Sequence, residues 1–84
     1  MEKPIFYYVY ILQSELDTKH FYTGFTENLL GRLKDHNSGK DPHTAKYKPW
    51  RIKAVVAFQD LHRNLDFERY LKSPSARAFA RKRL

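Results

Sequence analysis

The 84-residue chain contains no cysteine. Disulfide staples, zinc–thiolate centres, iron–sulfur clusters and thiol nucleophiles are therefore excluded, and the composition fits a reducing compartment. Glycine is scarce. Gly24, Gly31 and Gly39 are too scattered to build a phosphate-cradling loop, so nucleoside-triphosphate chemistry has no support. Long apolar runs are missing as well. The longest, Ile5–Leu12, has eight residues, against about 20 for a membrane helix. The N-terminus lacks the basic–apolar–small order of a secretory signal. These absences predict a cytoplasmic protein with no membrane partner. His20, His36, His43 and His62 are scattered without ligand-like spacing, which argues against zinc. Ser14, Ser38, Ser73 and Ser75 lie in turn or cap contexts, and none has a nucleophile-elbow setting.

Acidic residues are also in short supply. Nine Asp and Glu face sixteen Lys and Arg, for a net charge of +7. The excess is uneven. From Arg69 to Leu84 there are six basic residues and no acid, and Lys40, Lys46, Lys48, Arg51 and Lys53 are opposed only by Asp41. Such a surface attracts polyanions, nucleic acid before acidic membrane. A solvated surface that keeps a small protein soluble explains the same charge. The chain is still 42% hydrophobic and 15% aromatic, enough for one core and too much for a disordered chain. Its length predicts one domain, residues 1–84, with a thin stability margin.

Ile5–Leu12 is β-branched and aromatic and reads as a central strand covered on both faces. His20–Phe25 reads as a second strand, joined to the first as an antiparallel hairpin. Thr26 is the expected helix cap, with Glu27 in the first turn. Leu29, Leu30, Leu33 and Asn37 mark the helix face, and Ser38-Gly39 ends it. Lys40–Trp50 reads as a polar loop that packs poorly without an anion against it. Ala54–Phe58 forms the heart of a short buried strand. Asn64 is the expected cap of a helix over Leu65–Lys72, and Ser73-Pro74 opens the last helix. The order β-β-α-β-α-α predicts an α/β (α+β) domain, a small three-stranded antiparallel sheet with helices packed on it.

Several side chains could carry chemistry. The hairpin brings Tyr10 and Tyr22 side by side, and Gly24 leaves that face open to another backbone or a phosphate. Most tyrosines in strands are core residues with a wet hydroxyl. Arg32 and His36, one helical turn apart, share a face, and a guanidinium fork suits phosphate oxygens. A solvated helix surface accounts equally for any single arginine. Glu68, on a largely apolar helix face, either ligates a metal or pairs with Lys72. One carboxylate with waters and substrate phosphate is an ordinary Mg²⁺ arrangement.

Tyr8-Val9-Tyr10, eleven residues, then Tyr22-Thr23-Gly24 resembles the paired signature of the GIY-YIG nuclease domain. Arg32, His36 and Glu68 follow at matching places. The resemblance runs from about Phe6 to Lys72 and is closest to the small single-domain members that stand alone. It implies a metal-dependent endonuclease acting on DNA, structure-directed or weakly specific, in repair or recombination. Glu68 would hold one divalent ion, Mg²⁺ or Mn²⁺. Tyr10 and Tyr22 would position or deprotonate the attacking water, Arg32 would stabilise charge on the phosphate, and His36 would orient water or touch phosphate. Tyr8 stands where the signature has its first glycine, Val9 and Thr23 replace isoleucines, and Phe25 replaces a lysine of some members. The asparagine that follows the glutamate in several members has no match here. For nucleic-acid contacts the residues are Lys40, Lys46, Lys48, Arg51, Arg77, Arg81, Lys82 and Arg83, with DNA expected over RNA and a monomer over an oligomer. Two other readings remain. One is a non-catalytic nucleic-acid-binding module on the same fold. The other is a protein-interaction domain anchored by Trp50 and Phe79.

Overall fold

The computed structural model describes residues 5–84. Strand β1 (Tyr7–Ser14) lies at the centre of a three-stranded sheet, between β2 (Phe21–Thr26) and β3 (Trp50–Phe58). Both pairings are antiparallel, as the α+β reading expects. β1 is central because both its faces are apolar, so neither can be left to water. Val9 and Ile11 point to one face and meet Leu71 and Ala76, with Phe58, Phe67 and Ala80 packed around them. Tyr10 and Leu12 point to the other and meet Trp50, with Tyr22, Leu29, Leu33 and Tyr47 around them. Helix α1 (Leu29–Ser38) therefore covers one face, and α3 (Leu61–Leu71) and α4 (Pro74–Arg83) cover the other.

The hairpin register sets Tyr10 opposite Gly24 and Leu12 opposite Tyr22. On β3 the register slips between Ile11 and Leu12: Ile11 pairs with Ala54, but Leu12 pairs with Ile52. Lys53 is the extra residue of this bulge, and bulges re-aim side chains. Its ammonium sits 4.7 Å from the ring centroid of Phe21. β3 is an edge strand with Val55 and Ala57 exposed, not the buried strand that its apolar run suggests.

Three helix starts differ from the sequence reading. Thr26 ends β2 and its hydroxyl accepts from the Asn28 amide (3.0 Å). Asn28 is the cap of α1, accepting from the Gly31 amide (3.1 Å), so Glu27 lies outside the first turn. The chain needs two residues to turn from the sheet edge, which moves the cap downstream. Asp60, not Asn64, caps α3 by accepting from the amides of His62 and Arg63. A carboxylate at this end gains from the helix dipole as well. The polar stretch after α1 holds a short helix, α2 (Pro42–Ala45), capped by Asp41. That stretch is tied to the core: Thr44 and Trp50 are buried, and Ser14 Oγ donates to the Tyr47 carbonyl (2.5 Å). Ser73 and Pro74 open α4 as expected, Ser73 accepting from the Ala76 amide. Leu30 is 76% exposed; Leu29 and Leu33 make the inner face of α1.

Candidate active site

The sheet face beneath α1 gathers four of the expected residues. Tyr10 and Tyr22 lie with ring centroids 6.2 Å apart, and the His36 ring is 5.9 Å from Tyr10 and 4.8 Å from Tyr22. Alternation along β1 and the Leu12–Tyr22 pair put both tyrosines on this face. Gly24 makes the packing possible. A Cβ there would lie 2.6 Å from Tyr10 Oη. The open space expected above Gly24 is thus filled by the Tyr10 phenol and is closed to a phosphate.

Tyr10 is 1% exposed and His36 fully buried. The Tyr10 hydroxyl lies 3.0 Å from His36 Nε2, and His36 Nδ1 lies 2.8 Å from Thr44 Oγ1. Thr44 Oγ1 in turn donates to the Asp41 carbonyl (3.4 Å). With that proton committed, Thr44 accepts from Nδ1–H, and Nε2 accepts from Tyr10. The tautomer follows from the hydrogen-bond network. Burial pushes the Tyr10 phenol up to about 12, with the nearby Tyr22 adding to it and Arg32 opposing. Burial, then the Arg32 charge, hold His36 below its ordinary value, while Asp41 and Asp35 oppose. At neutral pH both groups are uncharged. His36 is fully buried, with one ring nitrogen engaged by the Tyr10 hydroxyl and the other by Thr44.

Arg32, one turn before His36 on α1, reaches Asp41 Oδ2 (3.4 Å) and keeps a third of its side chain open. Asp41 also lies 3.9 Å from His36 Nδ1. Asp41 and Thr44 were missed from sequence. The signal was Asp41-Pro42, a cap followed by proline at the first helical position, which folds α2 against His36.

Glu68 is not joined to this group by any hydrogen bond or ion pair among the described residues. It comes from α3 on the other face, half-buried, with Lys72 Nζ 3.2 Å from its carboxylate. No cluster of three or more His, Asp or Glu side chains gathers among the described residues. The basic residues divide. Lys40 pairs with Asp35 (3.5 Å), Lys46 lies over the Tyr47 ring and Arg51 donates to Gln13 (2.7 Å). Lys48 is exposed, as are Lys82 and Arg83 at the end of α4. Arg77 and Arg81 line a groove beside β2. Trp50 is core and donates its Nε1–H to the Thr44 carbonyl (2.8 Å), so it cannot anchor a partner.

Residues 6–82 match the family model described as GIY-YIG catalytic domain. The chain belongs to the GIY-YIG family. It is 37% identical to a UPF0213 protein of Lacticaseibacillus paracasei, over 79% of this chain and 73% of that one. It is 36% identical to the structure-specific endonuclease subunit SLX1 of Meyerozyma guilliermondii, over 84% of this chain. The chain spans only about a quarter of that relative's length (26%). The solution NMR structure of a UPF0213 protein from Bacillus halodurans superposes with a TM-score of 0.57 at 31% identity, covering 93% of this chain and 84% of the other. The GIY-YIG signature therefore occupies facing positions of β1 and β2, with Tyr10 on the first and Tyr22 and Gly24 on the second. No helix among the described residues is long and apolar enough to cross a membrane.

Proposed function

We propose that this GIY-YIG domain is a metal-dependent endonuclease hydrolysing phosphodiester bonds in DNA, structure-directed or weakly sequence-specific. The observation that supports it best is the closed set Tyr10–His36–Thr44 behind Tyr22 and Arg32. Hydrolysis forms a bond from water oxygen to phosphorus and breaks the bond to the leaving sugar oxygen. The water must be aimed in line and must lose a proton. Tyr22 is only half-buried, so its hydroxyl is the one that would orient the water and pass its proton to solvent. Tyr10 holds its own proton, donated to His36, and would fix the position of Tyr22 from behind. The open side of Arg32 would bind a phosphate oxygen and stabilise the charge developing there.

Glu68 suits a single divalent ion, because Mg²⁺ is commonly held by one carboxylate, waters and substrate phosphate. It would exchange Lys72 for the metal at the β2 edge, where Lys72 and Tyr22 line the same groove. The ion, when bound, supplies positive charge to the scissile phosphate and leaving oxygen. The test is cleavage of labelled duplex, single-stranded and forked DNA and RNA with Mg²⁺ or Mn²⁺. Glu68→Gln and Tyr22→Phe should each lose activity by on the order of 100-fold or more while DNA affinity holds. One observation favours a second reading, a non-catalytic nucleic-acid-binding module: Glu68 already has a cation, Lys72. That reading prevails if wild type and Glu68→Gln bind alike and neither cleaves.

A further inference from the structure

We propose that the basic groove between β2 and α4 is a binding site for single-stranded nucleic acid, on the opposite side of the sheet from Tyr10, His36 and Arg32. It adjoins the proposed catalytic groups, since Tyr22 lines it and its Lys72 pairs with Glu68, but its occupancy does not depend on cleavage.

The groove encloses about 440 Å³. Lys19, Lys53, Lys72, Arg77 and Arg81 line it, and no Asp or Glu does. These cations come from four places in the chain: the β1–β2 turn, β3, the end of α3, and α4. Arg77 and Arg81 are four apart on α4 and so project together. Lys53 is there because of the β3 bulge, which takes it out of the strand pairing and turns it across β1 toward Phe21. Lys72 is already paired with Glu68 (3.2 Å), but concentrating the other four like charges in one concavity costs free energy unless an anion neutralises them. The complement is therefore a chain of phosphates rather than a single anion.

Phe21 decides which chain of phosphates. It lies in the groove and is 39% exposed, though its strand has a core to enter. The Lys53 ammonium lies over one face of the ring, and a part-exposed ring among phosphate-binding cations is the arrangement on which unpaired bases stack, with little regard to sequence. Duplex bases are already stacked and cannot present a face to it. An acidic peptide or an anionic membrane would satisfy the cations and leave the ring unused. β2 is an edge strand, and Tyr22 contributes to the groove wall while its ring packs against His36 on the other side. A strand held in the groove thus ends beside the one tyrosine of the proposed site that is open to solvent.

The test is fluorescence anisotropy of labelled oligo-dT and of a blunt duplex, with EDTA present so that no cleavage intervenes. Arg77→Ala/Arg81→Ala should weaken oligo-dT binding tenfold or more. It should also flatten the slope of log affinity against log salt by about 1.4, two contacts at ~0.7 each. Phe21→Leu, which keeps apolar bulk and removes the ring face, should weaken oligo-dT at least fivefold and leave duplex binding within twofold. Arg63→Ala/Arg69→Ala removes the same charge from exposed positions of α3 outside the groove and should cost less than threefold. Equal losses in the two arginine pairs would reduce the groove to bulk charge and overturn the proposal. So would equal loss of duplex and oligo-dT in Phe21→Leu, or tighter binding of an acidic peptide or anionic vesicles than of oligo-dT. Wild-type binding with no cleavage under Mn²⁺ would defeat the nuclease reading and leave this one standing.

Discussion

His36 is held between two hydroxyls with no contact to solvent, and its charge state decides whether they stay in place. Burial, reinforced by Arg32, lowers its pKa. The unfolded chain takes up a proton near the ordinary value of 6.5, and the folded chain resists until lower pH. The stability this contributes is fully present above about 6.5 and is lost as pH falls through the folded value. The urea midpoint should therefore fall below about pH 6.5, and His36→Gln, which retains a donor and an acceptor, should make that fall shallower. Tyr10 has the opposite window. Its pKa is raised from 10.0 to about 12, so stability is present below pH 10 and lost on the way to 12. Gly24 guards the same phenol. Gly24→Ala would set a Cβ 2.6 Å from Tyr10 Oη, and because Tyr10 is buried it cannot swing aside. A loss of about 1–3 kcal/mol, the usual cost of overpacking, is expected in chemical denaturation. Because the same hydroxyl is bonded to His36 Nε2 (3.0 Å), the substitution should also shift the His36 ring resonances.

The elements themselves were largely legible, because hydrophobic period and turn residues carry them. β1, the hairpin, α1 and the Ser73-Pro74 start of α4 can all be read from the chain. The boundaries were less legible. Caps are chosen by competition between neighbouring side chains, and the sequence contains Thr26 beside Asn28 and Asp60 before Asn64. Geometry at the strand ends settles the choice. The site was half legible for a related reason. Tyr10, Tyr22, Arg32 and His36 sit on regular elements, where spacing fixes direction. Asp41 and Thr44 meet His36 only because a loop folds into α2, and the bulge at Lys53 has no signature in a β-branched run. Asn64 shows the consequence within α3. Displaced from the cap, it is fully buried with both amide atoms unpaired among the described residues. An orphaned buried amide costs about 1–3 kcal/mol. Asn64→Leu, which keeps the branched heavy-atom skeleton and removes the polar atoms, should therefore raise stability by about that amount, read from the shift in the denaturation midpoint at unchanged slope.

The whole molecule is a flat slab, 42 × 30 × 18 Å, with one sheet and a thin layer of helix on each side. At roughly 0.05–0.15 kcal/mol per residue, 84 residues carry about 4–13 kcal/mol in total. Neither helical layer is dispensable on that margin. α4 shows where structure ends and charge begins. Its first two turns supply Ala76, fully buried, and Ala80, both in the cluster with Leu71 and Ile11. Its last residues, Lys82, Arg83 and Leu84, are all exposed, Leu84 by 41%. Ending the chain after Arg81 should therefore leave the melting temperature within a few degrees. Ending it after Ser73 uncovers Leu71 and Ile11, and each large apolar side chain is worth about 1.5–3 kcal/mol when fully buried. That loss is comparable to the lower bound of the total, so the shorter chain should unfold near or below room temperature. Calorimetry on the two truncations separates the roles. A stable chain lacking α4 would mean that the sheet face under α3 closes without it. α4 would then serve only to carry Arg77 and Arg81 to the groove.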